Sequence, residues 1–186
     1  MTRVFAYTTY ANDAIRIARK MKEPHSESMA RQVGKAMAEW LIHATAFAPE
    51  HYDALIPIPQ HWFRRLTLRY NQSEVLASSI ASTVGSRVED AWLQRTRWTQ
   101  KQGMKTIAER VVNMKDAFRI AQKHKDRIEG RRFLLVDDVM TSGATLDQAA
   151  AVLKRQGAVM VDAVVFARGL GGSRPAPSKS SIPTGQ

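Results

Sequence analysis

The sequence predicts a mixed α/β domain with a central, mostly parallel sheet and helices on both faces. Three observations predict it. Arg132 to Val136 reads as an apolar strand, a helix follows with Leu146, Ala149, Ala150 and Leu153 on one face, and a second strand runs from Val159 to Phe166. Strand, helix and strand in that order imply parallel pairing with a right-handed crossover. Elsewhere apolar residues recur at three-four spacing, the mark of helices that lay one face on a core. Finally, 186 residues suffice to bury one core, and no apolar run approaches the ~18 residues of a membrane span.

The elements follow in chain order. Residues 1–7 lead into polar residues, and Asn12 or Asp13 can cap a helix whose Ala14, Ile17, Ala18 and Met21 share a face. Lys20 and Lys22 suit its C-terminal end, and Pro24 stops it. A longer helix begins near Ser26 or Ser28, with the stripe Met29, Val33, Met37, Trp40, Leu41 and Ala44 ending before Pro49. Residues 1–50 are thus expected to be a helical segment. Tyr52 to Ile58 reads as a short strand, confined by Pro57 and Pro59 to an edge or a terminus. Asn71 with Glu74 resembles a capping box, Val75, Leu76, Ile80 and Val84 form the helix face, and Gly85 stops it. Met104, Ile107, Ala108, Val111 and Val112 outline another helix, and Ala117 to Ile120 a brief strand. Gly157 ends the helix of the strand–helix–strand unit. From Gly169 the chain is rich in Gly, Pro, Ser and Lys, which reads as a disordered tail over 169–186 behind a single domain of residues 1–168.

Charge and composition narrow the function classes. The net charge of +11 is concentrated in residues 60–132, which hold 16 basic and 7 acidic groups. Such a field attracts a nucleic acid or a pyrophosphorylated metabolite equally well. With no cysteine, disulfides, thiol nucleophiles and cysteine-bound zinc are excluded, and a cytoplasmic setting is expected. The five histidines show neither metal-ligand spacing nor a serine partner. Trp40 is assigned to the core; Trp62 and Trp98, in basic surroundings, can also stack a base.

The segment Phe133-Leu134-Leu135-Val136-Asp137-Asp138-Val139-Met140-Thr141-Ser142-Gly143-Ala144-Thr145-Leu146 carries the chemistry. Ligands of open parallel sheets sit beyond the carboxyl ends of strands, where Asp137 and Asp138 fall. Thr141, Ser142, Gly143, Ala144 and Thr145 can turn sharply into a helix and offer backbone N–H groups to a phosphate. Thr145 with Gln148 also fits a plain capping box. A Walker B strand would look similar, but no G-x-x-x-x-G-K-[ST] accompanies it. A phospho-acceptor pocket would need a strand and acids near the N-terminus, which reads as helical.

The run Leu134 to Leu146 resembles the phosphoribosyl pyrophosphate (PRPP) signature of type I phosphoribosyltransferases: apolar residues, two acids, then Ser-Gly, a small residue and Thr. Three further segments resemble the ComF group of that superfamily, namely Ile56-Pro57-Ile58-Pro59, Arg69-Tyr70-Asn71-Gln72, and Arg95 to Gln102 with Arg110, Asn113 and Ala117-Phe118. Two features depart from the group. Its usual Arg-Gly-Phe-Asn-Gln is here Leu68-Arg69-Tyr70-Asn71-Gln72, and its cysteine-rich zinc module has no counterpart in a chain without cysteine.

The resemblance implies a type I phosphoribosyltransferase-like fold with an N-terminal helical hood that selects the acceptor. It implies Mg²⁺-bound PRPP, its 5′-phosphate in Thr141 to Thr145 and its ribose hydroxyls on the catalytic pair Asp137 and Asp138. Phosphoribosyl would pass to a nitrogen acceptor. Arg64, Arg65, Arg69, Arg95, Arg97, Lys101 and Lys105 are candidates for the pyrophosphate, with Gln100 and Gln102 in a polar lid. The alternative is an accessory module that senses PRPP or binds single-stranded DNA or competence proteins without turnover.

Overall fold

Two apolar runs organise the molecule. Phe133 to Val136 and Val161 to Ala167 are buried without a break, Asp162 included. Strands hidden on both faces lose the in–out alternation of surface strands, so these two lie at the centre of a parallel sheet. The computed structural model describes residues 1–60, 70–96 and 117–169. In chain order they form β1 (Val4–Thr9), α1 (Asn12–Lys20), α2 (Glu27–Ala44), β2 (Ala54–Pro57), α3 (Gln72–Val84), β3 (Leu93–Arg95), β4 (Phe118–Ile120), β5 (Arg132–Met140), α4 (Ala144–Arg155) and β6 (Met160–Arg168). The principal sheet has the order β1-β6-β5-β2, every pair parallel, and β3 and β4 form a separate antiparallel ribbon.

Successive residues of the central strands feed two cores, one per face. Leu134, Val136, Val164 and Phe166 pack with α1, α2 and α3; Phe133, Leu135, Ala163 and Val165 pack with α4 and the β3–β4 ribbon. Each such Leu, Val or Phe side chain, fully buried, contributes about 1.5–3 kcal/mol. The helical layer is tight where α2 crosses α3: a Cβ at Gly34 would lie 2.6 Å from the Ser79 Cβ.

Four expectations change. Neither Asn12 nor Asp13 caps α1, whose N-cap is Ala11 without a side-chain hydrogen bond. Residues 1–50 are not wholly helical, because Val4–Thr9 forms β1 and extends the sheet beside β6. That strand carries no acid, so the phospho-acceptor arrangement is still missing. β5 does not stop at Val136 but runs to Met140, so both aspartates lie on the strand itself. The Thr145–Gln148 capping box does not form; α4 starts at Gly143 in the left-handed conformation, φ 80°, without a side-chain cap. Other readings hold. Asn71 caps α3, accepting from Ser73 N at 3.1 Å, and Gly85 ends it at φ 69°. β2 is an edge strand, its outer side met by Arg87–Glu89 through Leu55 N to Arg87 O (2.8 Å) and Glu89 N to Leu55 O (2.9 Å). The helix expected around Met104 to Val112 and the tail beyond Gly169 lie outside the described residues. Among the described residues no helix is long and apolar enough to cross a membrane.

Candidate active site

The site arises because β2 stops early. Pro57 pairs with Val136, and the next N–H, from Ile58, donates to Val136 O at 2.9 Å. Beyond that point the prolines carry the chain away from the ladder. Asp137 to Met140 therefore continue along β6 with no strand on their other side. The gap is a cavity of about 300 Å³, bordered by Asp137, Asp138, Thr145, Lys22, Ser73 and Arg95, with Ile58, Pro59, Gln60 and Gln72 as its remaining wall.

The two carboxylates are held differently. Asp137 Oδ1 accepts from Ser73 Oγ at 3.0 Å and from Asp138 N at 2.9 Å. Asp138 Oδ1 accepts from Val139 N at 2.8 Å, and its Oδ2 meets Lys22 Nζ at 2.5 Å. Burial pushes the Asp137 carboxyl up to about 7, and the neighbouring charge of Asp138 adds to the rise; the backbone N–H of Asp138 and the Ser73 hydroxyl oppose it. A carboxyl poised near neutrality in a cleft is a frequent mark of a functional group.

Past Met140 the chain makes the expected turn. Thr141, Ser142, Gly143 and Thr145 have backbone N–H groups with no hydrogen-bond partner among the described residues, while Ala144 N donates to Ser142 Oγ at 3.4 Å. These amides, with the start of a 12-residue helix behind them, make a site for an anion. Gly169 N, donating to Met140 O at 2.8 Å, ties down the other side of the turn.

The structure thus brings Asp137, Asp138 and Thr145 to one cavity, with Thr141, Ser142, Gly143 and Ala144 in the turn beside it. Arg95 borders the same cavity, its guanidinium 5.4 Å from the centre of the Phe118 ring. Arg64, Arg65, Arg69, Arg97, Lys101 and Lys105, and also Gln100, Gln102, Trp62 and Trp98, lie outside the described residues. Lys22, Ser73, Gln60 and Gln72 are site residues that sequence reasoning did not single out. Tyr70 links two of the walls: its hydroxyl donates to Met21 O at 2.5 Å, next to Lys22, just ahead of α3. The Gln60 side-chain amide donates to Gln72 Oε1.

Comparison with known proteins gives a consistent picture. Residues 71–181 match the family model described as phosphoribosyl transferase domain. The chain is 31% identical over 105 residues to Competence protein F of Haemophilus influenzae, covering 56% of this chain and 45% of that protein. It is 27% identical over 173 residues to the DNA utilization protein YhgH of Escherichia coli O6:H1, covering 90% and 73% respectively. The chain therefore spans somewhat under half of the first relative and about three quarters of the second. Its fold resembles glutamine PRPP amidotransferase from B. subtilis, with a TM-score of 0.51 and 20% identity over 75% of this chain and 26% of that one.

Proposed function

From the premise that the chain belongs to the phosphoribosyl transferase domain family, and within it to the ComF group, we propose that it binds Mg·PRPP and transfers phosphoribosyl to a nitrogen acceptor. One observation carries the reading: Asp137 and Asp138 share a cavity with Thr145 and adjoin a turn of unpartnered amides.

The 5′-phosphate sits against the N–H groups of Thr141 to Thr145, and the ribose hydroxyls donate to the two carboxylates. As the bond from C1 to pyrophosphate breaks, positive charge grows on the sugar. Asp137 and Asp138 stabilise that charge more in the transition state than before it. The acceptor nitrogen forms the new bond to C1, pyrophosphate departs with the electron pair of the old one, and the nitrogen's proton passes to solvent. Lys22 and Arg95 supply positive charge at the rim of the cavity. Among the described residues no three His, Cys, Asp or Glu side chains converge on a point. Asp137 and Asp138 would hold a Mg²⁺ ion that arrives with the pyrophosphate, and the ion would neutralise charge on the leaving group.

A second reading, a PRPP sensor or single-strand-binding module without turnover, draws on the relatives' names and on the basic stretch of residues 60–132. Calorimetric titration of Mg·PRPP into the protein and into Asp137→Asn/Asp138→Asn tests both. Binding only to the unsubstituted protein is expected, with pyrophosphate release on adding one of a panel of nucleobases or ammonia. Binding without release for every acceptor favours the sensor; no binding ends the PRPP reading.

A further inference from the structure

A second cavity lies apart from the acid-pair site. It is an open groove of about 580 Å³ between the β3–β4 ribbon, the turn Gln122–Arg127 and the C-terminal end of α4. Four cations line it, Arg119, Lys123, Lys125 and Arg155, and no carboxylate does. The amides of Gln94 and Gln156 stand among them over a floor that includes Phe118 and Ile120.

On the N-terminal side Arg3, Arg16, Lys20, Lys22 and Arg31 each face a carboxylate, whereas among the described residues Arg19 and Lys35 face none. Among the described residues none of the groove's four cations faces a carboxylate; Arg119 Nε donates to Gln94 Oε1 at 3.2 Å. Asp126, exposed on the same turn as Lys123 and Lys125, is not part of the lining. Four like charges around one concavity give it a positive potential that attracts anions.

The groove is also separate from the acid-pair cavity. Between them lies a cavity of about 400 Å³ that shares Gln94 with the groove and Pro59, Gln60 and Arg95 with the site, and that carries Glu74 and Asp90. Glu74 and Asp90 thus stand between the groove and the acid-pair cavity.

We propose that this groove is a second anion site, which binds the phosphates of a nucleotide chain. Guanidinium and ammonium groups take the phosphate oxygens, and the glutamine amides offer hydrogen bonds to sugar or base. No exposed aromatic ring lines the groove, so stacking contributes little and charge dominates. A nucleic-acid strand and a free nucleoside polyphosphate present the same chemistry, and the experiment separates them.

Fluorescence anisotropy of a labelled single-stranded oligothymidylate is followed across a salt series, with calorimetric titration of ATP in parallel. The probe is added to the full chain, to Lys123→Gln/Lys125→Gln/Arg155→Gln, and to a control with equal charge removed, Arg16→Gln/Arg19→Gln/Lys35→Gln. Thermal melts and Mg·PRPP binding check that both variants are folded. Oligonucleotide binding by the unsubstituted chain is expected, with a log–log salt slope flattened by about two in the groove variant and little changed in the control. Loss of ATP binding in the groove variant without any oligonucleotide binding supports the site and makes the free nucleotide its ligand. Equal weakening in both variants, or no binding of either probe to the unsubstituted chain, overturns the proposal.

Discussion

The two ends of the central sheet treat buried acid in opposite ways. Towards the amino end, Asp162 on β6 is fully buried and fully partnered. Its Oδ1 accepts from Arg3 N at 2.9 Å, and its Oδ2 from Arg3 Nε at 3.0 Å and Tyr52 Oη at 2.8 Å. Roughly 10 Å further along the strands, level with Val165, Asp137 has a hydroxyl and one N–H as partners and a second carboxylate beside it. Asp162 clamps β1 and the approach to β2 onto the sheet. Asp137 and Asp138 stand side by side at an open cavity, and their proximity adds to the rise of the Asp137 pKa. The first cluster is a fastening, the second a candidate site.

The sharpest way to break this comparison is to remove each acid. Asp162→Ala leaves the half-exposed Arg3 guanidinium and the Tyr52 hydroxyl without their carboxylate, and loss of such hydrogen bonds to a charged group costs about 1.5–3 kcal/mol. A urea melt should show that loss; under ~1 kcal/mol would mean the cluster is not a clamp.

The opposite sign is expected at the other end. The folded Asp137 carboxyl titrates at about 7 against an ordinary value of 3.8, so folding takes up a proton between those pH values. Its stabilising effect is complete below pH 4, is lost as pH rises towards 7, and stays lost above. Asp137→Asn abolishes that dependence. A shift of three units corresponds to ~4 kcal/mol at full burial, and partial exposure beside Lys22 brings the expected gain at pH 8 down to about 1–2 kcal/mol. Melts at pH 5 and pH 8 read it: the variant should gain only at the higher pH, while losing Mg·PRPP binding. A variant destabilised at both would place Asp137 with Asp162 as a fastening.

What the sequence made legible divides along similar lines. β5, α4 and β6, the Asn71 cap and the Gly85 stop are written in local patterns of apolar spacing, capping and glycine, and they were readable. β1 was not: Val4–Thr9 is a half-exposed edge strand that exists because β6 offers it a partner, a long-range fact without a local mark. β3 is only Leu93–Arg95, too short for any periodicity, and its pairing with β4 alone defines it. The acid pair and the turn Thr141 to Thr145 are contiguous, so one local pattern marks both. Lys22 and Ser73 reach them from α1's end and α3's first turn; locally Lys22 reads as a charge suited to a helix C-terminus, and Ser73 as a residue behind a cap.

Ser73 gives a finer test of how Asp137 is tuned. Its hydroxyl favours the charged carboxylate, so Ser73→Ala should raise the Asp137 pKa beyond 7, by about half a unit to one unit. If ribose hydroxyls donate to the ionised form, Mg·PRPP affinity rises with pH through this range. The midpoint of that rise should move to higher pH in Ser73→Ala, with affinity at pH 9 little changed. A uniform loss at every pH would make Ser73 a packing residue.

The smallest effect is expected at Tyr70, where the ComF pattern has Phe. Its hydroxyl holds Met21 O and so steadies Lys22 beside Asp138. Tyr70→Phe removes the hydroxyl's hydrogen bonds, chiefly that to Met21 O, worth about 0.5–1.5 kcal/mol, and touches the acid pair through the backbone between Met21 and Lys22 and through the Gln72 side chain. Stability should fall by that amount, and Mg·PRPP affinity should move less than threefold. A larger change in affinity than in stability would mean that the placement of Lys22, rather than the carboxylates alone, sets how the site receives its ligand. The contrast between the two ends of the sheet would then rest on a residue from the N-terminal segment as much as on the strands.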